Sequence, residues 1–346
     1  MLIILLASLV FSLPSQSTEI AKLNLAVSNN SVAAAKTTSG WQLLSFNGLS
    51  KEKDWRAVTN VAMGIDLKSK KTYFIDNVPF KQGRLASIAV TVNNKVYLFG
   101  GYTVSESHAE KSMPDVYQYD PQSREFTLFS QMLIPVDDTV ALVYQDRYIY
   151  LISGWHDVGN IADVQILDTQ SKRWYLGTPY PGQPVFGHAA GIFDNNIVVI
   201  DGVKVAGIKQ GKRQYKMSEQ SFLGKIDPLD FTKIHWQALP SHPGKAKYRA
   251  ASSGSEQLNS IVFAGGSDNP YNFNGIGYNG IPSKPSNEVF SWDLKNKQWK
   301  TLEPLDKPSM DHRGLLSIEG SFYLLGGMNE KQQVSDKVIH YEPVTD

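Results

Sequence analysis

An all-β fold, a ring of six four-stranded blades forming a β-propeller, is what this sequence predicts, and three repeated patterns predict it. A doublet, usually of glycines, closes a β-rich run five times. The copies are Gly100-Gly101 after VYLF, Ser153-Gly154 after IYLI, Asp201-Gly202 after IVVI, Gly265-Gly266 after IVFA and Gly326-Gly327 after FYLL. Ahead of each run stands a short polar turn: Asn93-Asn94, Asp146-Arg147, Asn195-Asn196, Asn259-Ser260 or Gly320-Ser321. That is the signature of a hairpin. Downstream of each doublet a third strand ends at an acid, and three copies run on as DPQSREF, DTQSKRW and DLKNKQW. The Asp and the small polar residue form a turn through side-chain to backbone bonds, and the aromatic then packs between sheets. A period of about 50–60 residues with four strands is a propeller blade, which buries both faces only when its neighbours stack on it.

The elements follow in order. Residues 1–17, MLIILLASLVFSLPSQS, have the length of a signal-peptide core with a small-x-small site at Ser15-Gln16-Ser17, though no Lys or Arg stands near Met1. The expectation is an exported, periplasmic or secreted protein, with the propeller over residues 18–346 and no membrane-embedded segment. Residues 23–27 and 31–35 read as the first two strands of the first blade, and residues 61–66 with LKSKKTYF as its last two. Residues 84–92, 96–99, 116–119 and 126–129 form the second blade and serve as the template. Third strands then end at Asp168, Asp227, Asp293 and Glu342, with Trp174, Trp236 and Trp299 as fourth-strand aromatics. The chain ends soon after Glu342, leaving the last blade one strand short. Residues 41–46, which resemble the strands around Trp236 and Trp299, are expected to fill that gap.

The doublets, the aromatics and the spacing resemble the kelch repeat over roughly residues 60–346. That resemblance implies the propeller fold but not one activity, because such propellers include enzymes, sugar binders and protein scaffolds.

Composition narrows the chemistry. The 346 residues carry 34 basic and 33 acidic side chains, a net charge of +1, so no global field favours nucleic acid or an anionic membrane. With 16 Tyr, 15 Phe and 7 Trp the chain is well supplied for strands, and with no cysteine it has neither disulfides nor thiolate sites.

In a blade, the loop after the doublet and the lead-in to the first strand share one rim. The opposite turns are only two or three residues long, so any pocket belongs to the long-loop rim. The lead-ins offer Arg84, Asp137-Asp138, His188, Arg249 and Asp311-His312-Arg313, and the loops offer Tyr102 and Trp155-His156-Asp157. His156 with Asp157, and His312 with Asp311 and Arg313, pair an imidazole with an acid, as acid–base chemistry requires. A three-His zinc site at His156, His188 and His312 follows no compact ligand spacing, and no metal or other cofactor is expected. The loop containing Asp268, Asn269, Tyr271, Asn272, Asn274 and Tyr278 alternates amides with aromatic rings over glycines. Amides bond sugar hydroxyls and rings stack on a pyranose face. The same loop lacks the closing acid of a calcium loop, with Ile281 there instead. Lys204, Lys209, Lys212, Arg213 and Lys216 form a basic run that would draw an anionic ligand.

Among kelch enzymes, the galactose oxidase type needs a Tyr crosslinked to Cys and is not expected in a chain without cysteine. In size, apolar start and form of repeat the chain resembles the exported bacterial sialic acid mutarotases. That family uses a Glu and an Arg in one loop after a propeller strand. Here the loop runs Asp201-Gly202-Val203-Lys204 with Arg213 beyond, so Arg213 carries over and Val203 stands where the acid is expected. Asp201, Asp157 or Asp311 with a histidine would then supply the acid–base pair. The expected function is sugar mutarotation or epimerisation. The alternative is a non-catalytic propeller that binds a glycan or a protein partner.

Overall fold

The computed structural model describes residues 17–343, so the expected leader lies, apart from Ser17, outside the described residues. Six four-stranded antiparallel sheets stand in a ring. The first blade is Ser31–Thr37, Gly40–Leu49, Val58–Asp66 and Thr72–Ile75. The second is Ile88–Val92, Lys95–Phe99, Asp115–Asp120 and Glu125–Gln131, and the third is Val140–Tyr144, Tyr148–Ile152, Val164–Asp168 and Arg173–Leu176. The fourth comprises Ala189–Phe193, Asn196–Ile200, Ser221–Asp227 and Asp230–Leu239; the fifth, Ala251–Ser255, Ser260–Ala264, Val289–Asp293 and Gln298–Leu302. The sixth has Leu316–Ile318, Ser321–Leu325 and Lys337–Tyr341 from the C-terminal part and takes Thr18–Lys22 as its outer strand. The innermost strands touch one after another around the ring, and the sixth touches the first.

Two N-terminal expectations are corrected. The ring is closed by Thr18–Lys22, which pairs with Lys337–Tyr341. The segment around Trp41 instead forms the second strand of the first blade, against Ser31–Thr37 and Val58–Asp66. Residues 23–27 are not a strand but the lead-in to that blade. The misreading has a local cause. Trp41 follows a turn, as the fourth-strand tryptophans do, but it packs its edge toward Glu319 of the sixth blade, with Nε1 donating to Oε1 at 3.1 Å.

The repeated residues act as their chemistry requires. Asp66, Asp120, Asp168, Asp227 and Asp293 each accept the backbone N–H two or three residues on, at 2.7 to 3.0 Å, and so close the turn between third and fourth strands. Both doublet residues sit at positive φ in every copy, for instance 49° and 77° at Gly100-Gly101. A Cβ on Gly101 would lie 2.6 Å from the Leu85 carbonyl oxygen, so glycine lets the lead-in run directly over the doublet. The first blade has its own version at Asn47-Gly48, with φ of 60° and 107°.

The core is distributed accordingly. Six apolar clusters lie between neighbouring blades, such as the one joining Tyr150, Val164 and Ile166 to Ile197, Val199 and Phe222. A seventh lies under the long-loop face and includes Leu85, Tyr102, Phe186, Tyr248, Tyr271 and Met310. Each fully buried aliphatic or aromatic side chain of this kind contributes about 1.5–3 kcal/mol. No helix among the described residues is long and apolar enough to cross a membrane.

Candidate functional site

The lead-ins build a closed circle at the channel mouth. One residue per blade, Asn29, Ala86, Asp138, Gly187, Arg249 and Asp311, takes a left-handed conformation with φ between 48° and 68°. Backbone bonds link them in sequence: Asp138 N to Ala86 O, Gly187 N to Asp138 O, Arg249 N to Gly187 O, His312 N to Arg249 O, and Asn29 N to Asp311 O. The Asn29 side chain makes the sixth link by accepting from Ala86 N at 2.6 Å.

Side chains from this circle plug the channel. Arg249 donates from Nη2 to Asp138 Oδ2 at 2.6 Å and from Nη1 to Asp311 Oδ1 at 2.9 Å. Arg313 donates to the other Asp138 oxygen at 2.6 Å, Tyr248 donates its hydroxyl at 3.1 Å, and Asn29 donates to Asp311 at 3.1 Å. All four charges are buried, and two arginines meet two carboxylates. Burial alone would raise the pKa of Asp138, but the Arg249 and Arg313 guanidinium groups beside it hold it below the usual value. The plug thus balances two positive charges against two negative ones.

Beside the plug, on the long-loop face, three β-ribbons wall a cavity of about 240 Å³. They are Tyr102–Val104 with Glu110–Ser112, Trp155–His156 with Gly159–Asn160, and Val203–Lys209 with Lys212–Met217. Cross-links hold them together. Ser112 N donates to Asp157 Oδ1 at 2.8 Å, Arg213 Nη2 to Val158 O at 2.9 Å, and Asn160 Nδ2 to Val203 O at 2.9 Å. Trp155, Tyr102 and Tyr215 give the cavity aromatic walls, and the Arg213 guanidinium lies 5.2 Å from the centre of the Trp155 ring.

Two carboxyl groups point into this cavity with altered acidity. Asp137 is 4% exposed and accepts from the Ser112 hydroxyl at 2.6 Å. Burial, with the nearby Asp138 and Glu110 charges adding to it, pushes its pKa well above the usual carboxylate range. Glu110 has an open stem, but its carboxyl end turns inward and accepts from Asn272 Nδ2 at 2.6 Å. Loss of water there raises its pKa, and the Asn272 bond partly opposes the rise. Asn272 in turn accepts from the Tyr102 hydroxyl at 3.0 Å and, through its carbonyl, from Arg249 at 2.9 Å, so it ties the cavity to the plug.

The candidates read from the sequence separate into groups. Tyr102, Trp155, Asp157 and Arg213 line the cavity. Asp138, Arg249, Asp311 and Arg313 are spent on the plug. His188 and His312 lie at the inner end of the channel, where burial lowers both pKa values to about 4. His156 turns its Nδ1 to the Pro135 carbonyl at 2.6 Å. Asp201 is drawn away, bonded to His242 and to Lys247 N at 2.7 Å each. Arg84 is buried against the Phe80 ring and paired with Asp115. Lys204 stands on the third ribbon, opposite Lys216.

In the amide-rich loop, Asn269 and Asn279 bond each other, Asn274 caps a local turn, Asp268 accepts from Lys284 N at the far end of the loop, and Tyr271 is buried against Tyr248. Tyr278 stacks on Tyr215 with ring centres 4.3 Å apart. Of that loop's amide side chains, Asn272 bonds to the cavity wall, at Tyr102 and Glu110. Among the described residues no three His, Asp or Glu side chains converge as a metal would need.

Glu110 and Tyr215 are not among the residues the sequence singles out, and Asp137 is named there only as part of a lead-in. Asp137 stood beside Asp138 in a lead-in already assigned to this rim. Nothing in the sequence tells that Glu110, on one ribbon, and Arg213, on another, line the same cavity.

Comparison with known proteins agrees with the architecture. The family profile described as Kelch motif matches residues 89–133. Kelch-like protein 15 of Mus musculus is 20% identical over 262 residues, 73% of this chain, and the match spans only 40% of that protein's length. Kelch domain-containing protein 3 of Homo sapiens is 24% identical over 268 residues, 72% of this chain and 65% of its own. A solved structure titled "Structure of YjhT" superposes with a TM-score of 0.72 at 15% identity, covering 94% of this chain and 98% of that one, which shows a shared fold. With a matching motif in its second blade and that blade's plan repeated round a closed ring, the chain is a kelch-repeat β-propeller.

Proposed function

We propose that this propeller is exported and acts on a single carboxylated sugar in the ribbon-walled cavity, exchanging the anomers as a mutarotase does. The observation that carries the reading is the convergence of Glu110 and Asp137, two carboxyls of raised pKa, in an aromatic cavity that also holds Arg213. A cavity of about 240 Å³ lies just below the ~300–1,000 Å³ of drug-sized sites and suits one monosaccharide.

Mutarotation needs a base at the anomeric hydroxyl and an acid at the ring oxygen. The base takes the hydroxyl proton as the ring C–O bond breaks, the acid protonates the departing ring oxygen, and an open-chain carbonyl forms. Rotation and reclosure give the other anomer. Asp137, the more deeply buried, stays protonated and serves as the acid; Glu110 serves as the base. The acid absent at Val203, whose side chain is fully buried, is thus replaced by carboxyls from the second and third blades.

Charge on the third ribbon supports an anionic ligand. Lys204 faces Lys216 and Lys209 faces Lys212 across it, and like charges directly opposite are destabilising unless a counter-charge meets them. The apolar start of the chain supports export.

Isothermal titration with N-acetylneuraminate, glucuronate and glucose tests the binding part. Saturable binding of a carboxylated sugar that Trp155→Ala and Arg213→Ala weaken at least tenfold is expected. Binding unchanged in both variants refutes the site. A propeller that binds glycan or protein without turnover is the second reading, and the exposed ribbon tips Val158 and Ile208 favour it, being 75% and 74% exposed.

A further inference from the structure

The chain as a whole is nearly neutral, but one element is not. The ribbon of Val203–Lys209 and Lys212–Met217 carries Lys204, Lys209, Lys212, Arg213 and Lys216 and no acid. Directly opposed residues share a face of a ribbon, and successive pairs alternate. With the bulge between Val205 and Gly207 absorbing one residue, the pairs Lys204–Lys216 and Lys209–Lys212 stand on one face, and Val205–Tyr215 and Ile208–Arg213 on the other. The second face looks onto the cavity, which Arg213 and Tyr215 line. The lysine face looks away from it, and no ion pair among the described residues involves its four lysines. A sugar held at Arg213 leaves those charges without a direct counter-charge.

Aliphatic side chains project from the same rim. Val158, Ile208 and Ile281 are exposed, one near the end of each of three long loops. Each adjoins a glycine, Gly159, Gly207 or Gly280, at which a Cβ would meet nothing within 4 Å, so these ends stand clear of the rest of the molecule. They are also tied together. Arg213, paired with Ile208, donates from Nη2 to the Val158 carbonyl at 2.9 Å, and Tyr215 stacks on Tyr278 of the loop that carries Ile281, with ring centres 4.3 Å apart. The acids nearest these ends in sequence, Asp157 and Asp268, are turned to Ser112 N and Lys284 N. Other exposed apolar side chains, such as Phe74, Leu128 and Leu176, lie singly on outer strands, where such exposure is ordinary.

We infer that the long-loop rim docks on an anionic lipid bilayer, with Val158, Ile208 and Ile281 entering the interface and the ribbon lysines meeting lipid phosphates. The charges are complementary, and a basic segment is drawn to anionic headgroups within a Debye length of about 8–10 Å. The shape suits a soft surface. Separate projecting ends seat between headgroups, whereas a folded protein partner needs a continuous face of about 800 Å². Lysine stems are long enough to hold their ammonium groups at the phosphates while the neighbouring aliphatics sit deeper. The inference does not rest on the sugar reading, since none of these aliphatics or lysines lines the cavity.

Co-sedimentation with vesicles of phosphatidylcholine alone, and of phosphatidylcholine with roughly one-third phosphatidylglycerol, tests this. It uses the whole chain and a chain starting at Ser17, so that the apolar start is not what binds. Both are expected to bind the phosphatidylglycerol vesicles about tenfold or more tightly than the neutral ones, and to bind less as salt rises from about 0.1 M to about 1 M. Lys209→Gln with Lys212→Gln, and separately Val158→Ser with Ile208→Ser, should each weaken binding about tenfold. All four positions are exposed, so the melting temperature should hardly move. Equal binding to the two vesicles, binding by the whole chain but not by a folded chain from Ser17, or either double variant binding like the wild type overturns the inference. So does the absence of vesicle binding, and capture on immobilised polyglutamate in that case gives the face to an acidic protein instead.

Discussion

Asp138 is the residue on which the channel mouth depends most. It receives Arg249, Arg313 and Tyr248 at once, all within 3.2 Å. Asp138→Ala leaves two buried guanidinium groups with half their counter-charge. A loss of about 3–5 kcal/mol in urea unfolding is expected, as for other broken buried pairs. His312 gives a second residue-scale prediction. Its folded pKa is lowered to about 4 by burial, against about 6.5 in the unfolded chain, so the unfolded state binds the proton first as pH falls. The stability contributed by the neutral ring is complete above pH ~6.5 and is lost progressively down to about 4. Relative to His312→Gln, the wild type should therefore lose about 3 kcal/mol across that window in paired denaturant titrations. The comparison between variants matters because Asp137 and Glu110, with raised values, act in the opposite sense.

Elements show how far the sequence could be read. The doublets, the Asp turns and the fourth-strand aromatics each have one local job, so five blades stood out from pattern alone. The first blade was blurred because its doublet is Asn47-Gly48, which meets the positive-φ requirement without a glycine pair. Ring closure was misassigned because Thr18–Lys22 carries no such mark; what makes it a strand is the open edge of Lys337–Tyr341, more than three hundred residues away in sequence. Residues 29, 86, 138, 187, 249 and 311 share a backbone conformation but not a side chain, so the circle they form leaves no sequence signature. A chain starting at Leu23 should expose that edge. It is expected to melt well below the chain starting at Ser17 and to self-associate in sedimentation measurements; equal melting points would show that the closing strand adds little. The ribbons are legible as long loops, yet their mutual approach is set by Asp157, Asn160 and Arg213 reaching across blades.

The whole molecule divides its two faces between two kinds of surface. A six-membered circle and a charge-balanced plug separate the ribbon-walled cavity on one side from the channel on the other. The closed ring supplies the rigidity that lets side chains from three blades meet as one site. Glu110 from the second blade, Asp137 from the third and Arg213 from the fourth are useful only if those blades keep their places. The proposed chemistry is therefore a property of the ring more than of any repeat. The measurement that tests it most directly is anomer exchange of N-acetylneuraminate and glucuronate, followed by ¹H NMR with the purified chain and with Glu110→Gln. The account predicts accelerated exchange for at least one of these sugars, reduced by about 10²–10⁴ in Glu110→Gln at nearly unchanged melting temperature. Exchange no faster than in buffer, or equally fast in the variant, would contradict it.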